Sequence, residues 1–355
     1  MSTVALFLPI AILAFLASTL VFDVVHWLLH RFAESRRPML RRLGDLHLTH
    51  HRFLDRNLCV HPEEIANNLR RHVVPEYLTQ LATSAALLFV LPTPPVLLCA
   101  AMQTGLFLWI LRERGMDVNH RGFDVLPAYR PHYFCLPEYH ALHHVHPQCH
   151  YSSWIKTLDH ALGTGAQIRG RQVLLTGGGH AFAEALARRL EVAGAELEVV
   201  RDGGAAWLAR QGTAARLRAL DVLILTHGLG GAPASDYVRW IERFCAASAG
   251  RKLPAEVWAT GSTRELDDDA GGGFLRHARA YLHDPRVIYR QLLLPDERSV
   301  ASALDLNAAR LLARRALRGA RRGQSYIPLG PRAALAFPRF RALEPAEATR
   351  SRVPS

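Results

Sequence analysis

The chain has 355 residues, 49% hydrophobic and 21% charged, with 43 basic against 31 acidic side chains and a net charge of +12. A mean hydropathy of +0.02 is too apolar for a disordered tail protein and too polar for a chain embedded in a membrane throughout. One part therefore belongs to the bilayer and another to water, and the length fits two domains.

From Thr3 to Phe22 there is no charged residue, and about twenty helical residues match the ~30 Å of a bilayer core. With no basic residue ahead of this run and no small-x-small site after it, the segment reads as a span rather than a cleaved leader. Residues 77–91 and 96–111 form two further apolar runs, separated by Pro92-Thr93-Pro94-Pro95. The prolines break the helix, so the pair reads as a transmembrane hairpin. Lys156 and Lys252 are the only lysines, so the basic excess is almost all arginine. Nine arginines lie between the first span and the hairpin, Arg112, Arg114 and Arg121 follow it, and the hairpin tip carries no charge. Basic segments stay cytoplasmic. The expected topology has the N-terminus outside and everything after about residue 111 inside, and it assigns the basic charge to lipid headgroups rather than nucleic acid.

Near residue 166 the texture becomes α/β. Strand signals at Gln172–Thr176, Leu197–Val200, Asp221–Thr226, Glu256–Thr260 and Val287–Leu294 alternate with helical stretches, one of them from Ala181 to Ala193. The fold class expected is thus an α-helical integral membrane domain, residues 1–165, followed by an α/β Rossmann-like cytoplasmic domain, residues 166–322. Residues 323–355, rich in Pro and Arg, read as a poorly ordered tail. Five cysteines with no C-x-x-C pair imply neither a zinc ribbon nor a disulfide framework.

Fifteen of the 19 histidines precede residue 161. His26 and His30 stand four apart, about 40° from each other on a helix. His47, His50 and His51 follow the pattern H-x-x-H-H, and His140, His143 and His144 repeat it. Neutral imidazole suits iron, copper, zinc or nickel. Eight imidazoles exceed one tetrahedral zinc, so the count points to two metal ions. Histidines that merely meet headgroups at the surface would not repeat this spacing.

The order H-x-x-x-H, H-x-x-H-H, H-x-x-H-H between apolar spans resembles the fatty acid hydroxylase/sterol desaturase superfamily of membrane non-haem diiron oxygenases. Pro137-Glu138-Tyr139 before His140 is similar to that family's P-x-F-H-x-x-H-H, and His120 stands where members often carry another histidine. His150-Tyr151-Ser152-Ser153, with Asp159 through Gly163-Thr164, is similar to the family's ending. The match covers about residues 20–165. The resemblance implies two Fe ions held by His26, His30, His47, His50, His51, His120, His140, His143 and His144. It also implies O2 as co-substrate, an external electron donor, and hydroxylation or desaturation of a fatty acyl, sterol or isoprenoid lipid. Written as H-R-x-x-H, the family's first box would instead begin at His30 and place Glu34 as a carboxylate ligand. His150 replaces the family's Asn, which leaves open whether it ligates. His61, His72, His132, His146 and His160 are left as surface or supporting residues, and Asp159 is a candidate to orient ligands.

Thr176-Gly177-Gly178-Gly179-His180-Ala181-Phe182-Ala183 resembles the T-G-x-x-x-G-x-G turn of short-chain dehydrogenases, with alanine at the second and third glycine positions. Gly177, Gly179 and Asp202 are the remaining nucleotide-binding candidates. The Tyr-x-x-x-Lys pair of that family has no counterpart, because no Tyr stands four residues before Lys252. The chain thus resembles bacterial proteins described as bifunctional sterol desaturase/short-chain dehydrogenase, with NAD(P) not expected to bind. Two other classes are open: an NAD(P)-dependent dehydrogenase anchored by an inert helical domain, and a metal-binding membrane scaffold without enzymatic activity.

Overall fold

The structure, a computed structural model, describes residues 3–128, 133–201, 205–226, 234–266, 273–294 and 306–343. The chain divides into two compact units, residues 1–124 with 132–164, and residues 125–131 with 165–355.

The first unit is helical. The uncharged N-terminal run forms α1, Thr3–Ala33, with Pro9 inside it. This helix runs eleven residues past Phe22, the expected end of the span, and carries His30 and Arg31 in its last turn. Pro38 opens α2, Pro38–Phe53, whose buried side chains include His47, His50 and Phe53. A short helix α3, Ile65–Asn68, passes through a π turn at Leu69–Val73 into α4, Val74–Leu87. Pro75 has no N–H and its ring crowds the carbonyl four residues earlier, so the helix widens at this point.

Helix α5, Thr93–Arg112, starts on the prolines that were expected only to separate two spans; Pro94 and Pro95 occupy its first turn, where an N–H has no partner to lose. Two helices, over Leu6–Ala33 and Thr93–Arg112, are long and apolar enough to cross a membrane. The expected second span, residues 77–91, is instead the fourteen-residue α4 followed by turns at 88–90. Its length of about 21 Å falls short of a bilayer core. Two further helices, α6 at Pro137–Val145 and α7 at Thr157–Leu162, complete this unit's described helices.

The second unit is a parallel sheet with helices on its faces. Its strands are β1 Gln172–Thr176, β2 Glu196–Val200, β3 Val222–Leu225, β4 Ala255–Ser262, β5 Val287–Leu294 and β6 Tyr326–Pro328. They lie in the order β2-β1-β3-β4-β5-β6, all neighbours parallel. This is the doubly wound 2-1-3-4-5 order with a sixth strand added at the β5 edge. Two short helices, α9 at Ala205–Leu208 and α10 at Thr213–Ala219, occupy the connection from β2 to β3. The remaining helices are α8 Ala181–Val192, α11 Ala234–Ser248, α12 Gly273–Tyr281, α13 Leu306–Arg321, α14 Pro331–Leu335 and α15 Phe337–Ala342. Strands β3, β4 and β5 are buried along their whole length, as a sheet covered on both faces requires.

Residues 326–343 correct the expectation of a tail that starts at 323. Ile327 pairs with Leu292 in the sheet, and Ala333 and Phe340 join the core. A three-residue strand with proline at its end gives too short an apolar pattern to be read in advance.

Candidate metal centre

Four stretches of the first unit bring histidines together. α1 carries His26 and His30, α2 carries His47, His50 and His51, the segment after α5 carries His120, and α6 carries His140, His143 and His144. Gly44 makes the first pairing possible: a Cβ there would lie 2.2 Å from the Ala33 nitrogen and 2.7 Å from the Leu29 carbonyl oxygen. Without it, α2 lies close enough to α1 for His47 and His51 to meet His26 and His30.

All nine histidines singled out from the sequence fall into two groups, one of His26, His30, His47, His51 and His143, the other of His50, His120, His140 and His144. Within each group the potential ligand atoms lie within 4.8 Å of one another. Helical periodicity explains the division. In H-x-x-H-H the first and last histidines are four apart and project within about 40°, whereas the middle one projects to the side. His47 and His51 join one group and His50 the other; His140 and His144 join one and His143 the other. The two boxes thus face each other with opposite polarity, and each contributes to both groups.

Hydrogen bonds on the outer side of the rings fix which nitrogen faces inward. His143 Nδ1 donates to the Cys149 carbonyl at 2.8 Å and His144 Nδ1 to the Leu54 carbonyl at 2.6 Å. His120 Nδ1 donates to Asp117 Oδ1 at 2.8 Å, and His50 Nδ1 to Asn68 Oδ1 at 3.2 Å. A neutral ring that has its proton on Nδ1 presents a bare lone pair at Nε2. His30 Nε2 lies 3.1 Å from His143 Nε2, 3.1 Å from His47 Nε2 and 3.2 Å from His51 Nε2. At most one proton at His30 Nε2 cannot satisfy three such neighbours. In the second group His120 and His140 approach at 2.9 Å through Nε2, while the Nε2 atoms of His50 and His144 are buried with no hydrogen-bond partner. Converging lone pairs and orphaned buried nitrogens are what a bound cation resolves. The residues fit two metal ions with nitrogen ligands, five in one group and four in the other.

The electrostatics favour the ligating form. Burial pushes His47, His50, His51, His140 and His144 well below the ordinary histidine range, and their histidine neighbours add to the effect. Burial likewise lowers His143 to about 4. At His120 burial also opposes the proton, yet the Asp117 carboxylate outweighs it and the pKa is raised.

Three neighbours were not read as part of the site. His72 is buried and stacks on His50, ring centroids 3.8 Å apart, with its Nε2 3.6 Å from Glu76 Oε2. The sequence leaves it either at the surface or in support of the ligands, and it is buried beside them. Asp117 orients His120, three residues away, by a spacing that signals nothing by itself. The Tyr151 ring packs against His26, His30 and His143. Asp159, the expected orienting carboxylate, instead accepts from the Tyr151 and Ser152 amides and from the Tyr139 and Thr164 hydroxyls. It pins the loop after α6.

Glu34 stands outside both groups. It is exposed, 3.7 Å from Arg31 and bonded to Gln148, which corrects the H-R-x-x-H alternative. His150 is buried in a left-handed conformation at φ 60°, its amide bonded to the Thr164 carbonyl, and it too lies outside both groups. His61 is exposed between Asp55 and Glu63. Beside the second group lies a cavity of about 30 Å³, bounded by His26, His72, His120 and His140 and by the apolar Phe22, Leu106, Ile110 and Trp154. That is room for about one water.

In the second unit, Gly177 takes φ 78° and the Gly178 amide bonds to the Val200 carbonyl. A Cβ on Gly178 would meet Val199 Cγ1 at 2.4 Å, whereas one on Gly179 would make ordinary contact. The turn's glycines thus allow β1 and β2 to approach, and Phe182 and Ala183 are buried in the core. Asp202 lies outside the described residues.

No family model matches the chain, and no solved structure matches it. Among curated proteins, a monoglucosyldiacylglycerol epimerase of Synechocystis sp. is 25% identical over 393 aligned positions, which take in 91% of this chain and 93% of that protein. The chain is similar to a lipid-modifying enzyme along nearly its whole length.

Proposed function

We propose that the chain is a membrane-bound dinuclear iron enzyme that oxidises a C–H bond of a lipid with O2, by hydroxylation or desaturation, with electrons from a separate donor. The observation that carries this reading is the five-plus-four set of inward-facing imidazole nitrogens. The histidine boxes that resemble the fatty acid hydroxylase/sterol desaturase superfamily support it, and so does the lipid in the name of the relative.

Two bound irons would supply redox chemistry towards O2 and an unactivated C–H bond. The chain's own residues do the rest. The carbonyls of Leu54 and Cys149, with Asn68 and Asp117, hold four rings in the tautomer that ligates. Burial keeps His47, His50, His51, His140, His143 and His144 neutral, and the apolar wall of the cavity at His120 and His140 leaves room only for a small molecule. The Rossmann-like domain, with no Tyr-x-x-x-Lys pair and a crowded turn, is proposed as a support that transfers no hydride.

Similarity along 91% of the chain to a protein named as an epimerase favours a second reading, inversion of a carbinol carbon in a glycolipid headgroup. Inversion breaks and remakes one C–H bond with no net oxidation, so it consumes neither O2 nor reductant. Purified protein with lipid extract, O2 and a reductant should yield a lipid gaining one oxygen or losing two hydrogens, with stoichiometric O2 uptake and about two irons per chain. An isomeric product formed equally well without O2 would replace the first reading by the second.

A further inference from the structure

Helices α8 and α13 pack side by side over the sheet through small residues of α13: Ala309, Ala313, Ala316 and Ala320 are all fully buried. Between their outer faces lies a groove of about 450 Å³, lined by Arg188, Arg189, Arg310 and Arg321 and floored by aliphatic side chains such as Ala185 and Leu317. Arg310, Arg314, Arg318 and Arg321 follow one another at intervals of four, four and three along α13. They form one stripe within about 80° of arc, roughly 16 Å long. Like charges at this spacing repel one another. Among the described residues none of these arginines forms an ion pair, and Glu184 is the one carboxylate lining the groove. Apolar side chains stand at the same groove: Val192 is 91% exposed and Leu306 59% exposed.

We infer that this groove docks the second unit on the anionic face of a lipid bilayer, with headgroup phosphates between the arginines and Val192 and Leu306 in the interfacial region. Charge complementarity requires a polyanion, and the exposed aliphatics select a membrane over nucleic acid, which has no use for them. Arginine suits phosphate through its paired N–H groups, and its long aliphatic stem lies readily against an apolar floor. The surface belongs to the outer faces of α8 and α13. It is separate from the histidine groups of the first unit, so it stands whether or not the oxygenase reading holds.

Because the chain carries its own apolar helices, binding to vesicles does not isolate this contact; local protection does. Full-length Val192→Cys protein is reconstituted into nanodiscs of phosphatidylcholine alone or with phosphatidylglycerol added. Labelling at position 192 by a water-soluble maleimide is followed by peptide mass spectrometry. The expected result is labelling slowed by about tenfold or more in the anionic discs, restored by high salt and by the exposed triple change Arg310→Gln/Arg314→Gln/Arg318→Gln. Equal rates in the two lipid compositions would overturn the inference. So would protection by an added oligonucleotide in phosphatidylcholine discs with none from phosphatidylglycerol. If the triple variant does not fold, the comparison of lipids and salt on the Val192→Cys protein alone still decides.

Discussion

His144 bonds its outer nitrogen to the Leu54 carbonyl and leaves its inner nitrogen buried and bare, so its loss removes a ligand outright. His143→Ala/His144→Ala, which takes one nitrogen from each group, should lower iron from about two atoms per chain to near zero, measured by elemental analysis of detergent-purified protein. Asp117→Asn keeps the shape but weakens the acceptor for His120, and should loosen metal binding by about 10–100-fold in a chelator competition. Glu34→Gln, at an exposed carboxylate away from both groups, should change neither quantity; a loss of iron there would restore the H-R-x-x-H alternative. At this scale the sequence was informative about which histidines assemble, because repeated spacing is a local property. Their division was also latent in it, since i and i+4 share a direction and i+3 does not. The stacking of His72 on His50 was out of reach because it joins two elements, and the role of Asp117 because its three-residue spacing from His120 signals nothing by itself.

Among the elements, Gly44 and the buried ion pair of the sheet show how one residue sets a packing distance or a charge balance. Gly44→Ala would force α2 away from Ala33 and Leu29, at about 1–3 kcal/mol. Iron content should fall along with the thermal unfolding temperature, because the same displacement separates His47 and His51 from His26 and His30. On β4 and β5, Arg290 Nε lies 2.6 Å from Glu256 Oε1, and both side chains are buried. Burial raises the Glu256 pKa, but Arg290 and Arg171 outweigh it and hold it below the ordinary 4.5. The stability this pair contributes is therefore present above about pH 4.5 and is lost as pH falls through the folded value. Glu256→Gln should leave Arg290 buried without its counter-charge, cost about 3–5 kcal/mol, and flatten that acid loss; amide exchange in β4 and β5 would measure both. Short, mainly apolar stretches made β1 to β5 legible, even though β4 and β5 carry Glu256 and Arg290. β6 was not, because its place depends on pairing with Leu292 rather than on any pattern of its own.

Across the whole first unit, the ends of the helices argue for the proposed topology. Besides the histidines of α2 and α6, the centre takes ligands from the C-terminal end of α1 and from the segment just after the C-terminal end of α5, and His72 and Glu76, on either side of the start of α4, pack beside it. Helices that cross in alternate directions present those three ends at one face. The same ends carry Arg31, Arg70, Arg71 and Arg112, whereas the turn between α4 and α5 carries no charge. Arginine-rich flanks stay cytoplasmic, so the proposed topology places the histidines where cytoplasmic reductants reach them. The shortness of α4 does not reverse this, since α4 and α5 form a hairpin whose two outer ends face the same way. A reporter active only outside the cytoplasm should work when fused ahead of Ser2 or inserted at Thr93, and fail when fused after Gly163. Activity after Gly163 would invert the topology, deprive the centre of cytoplasmic electrons, and favour the epimerase reading, which needs none.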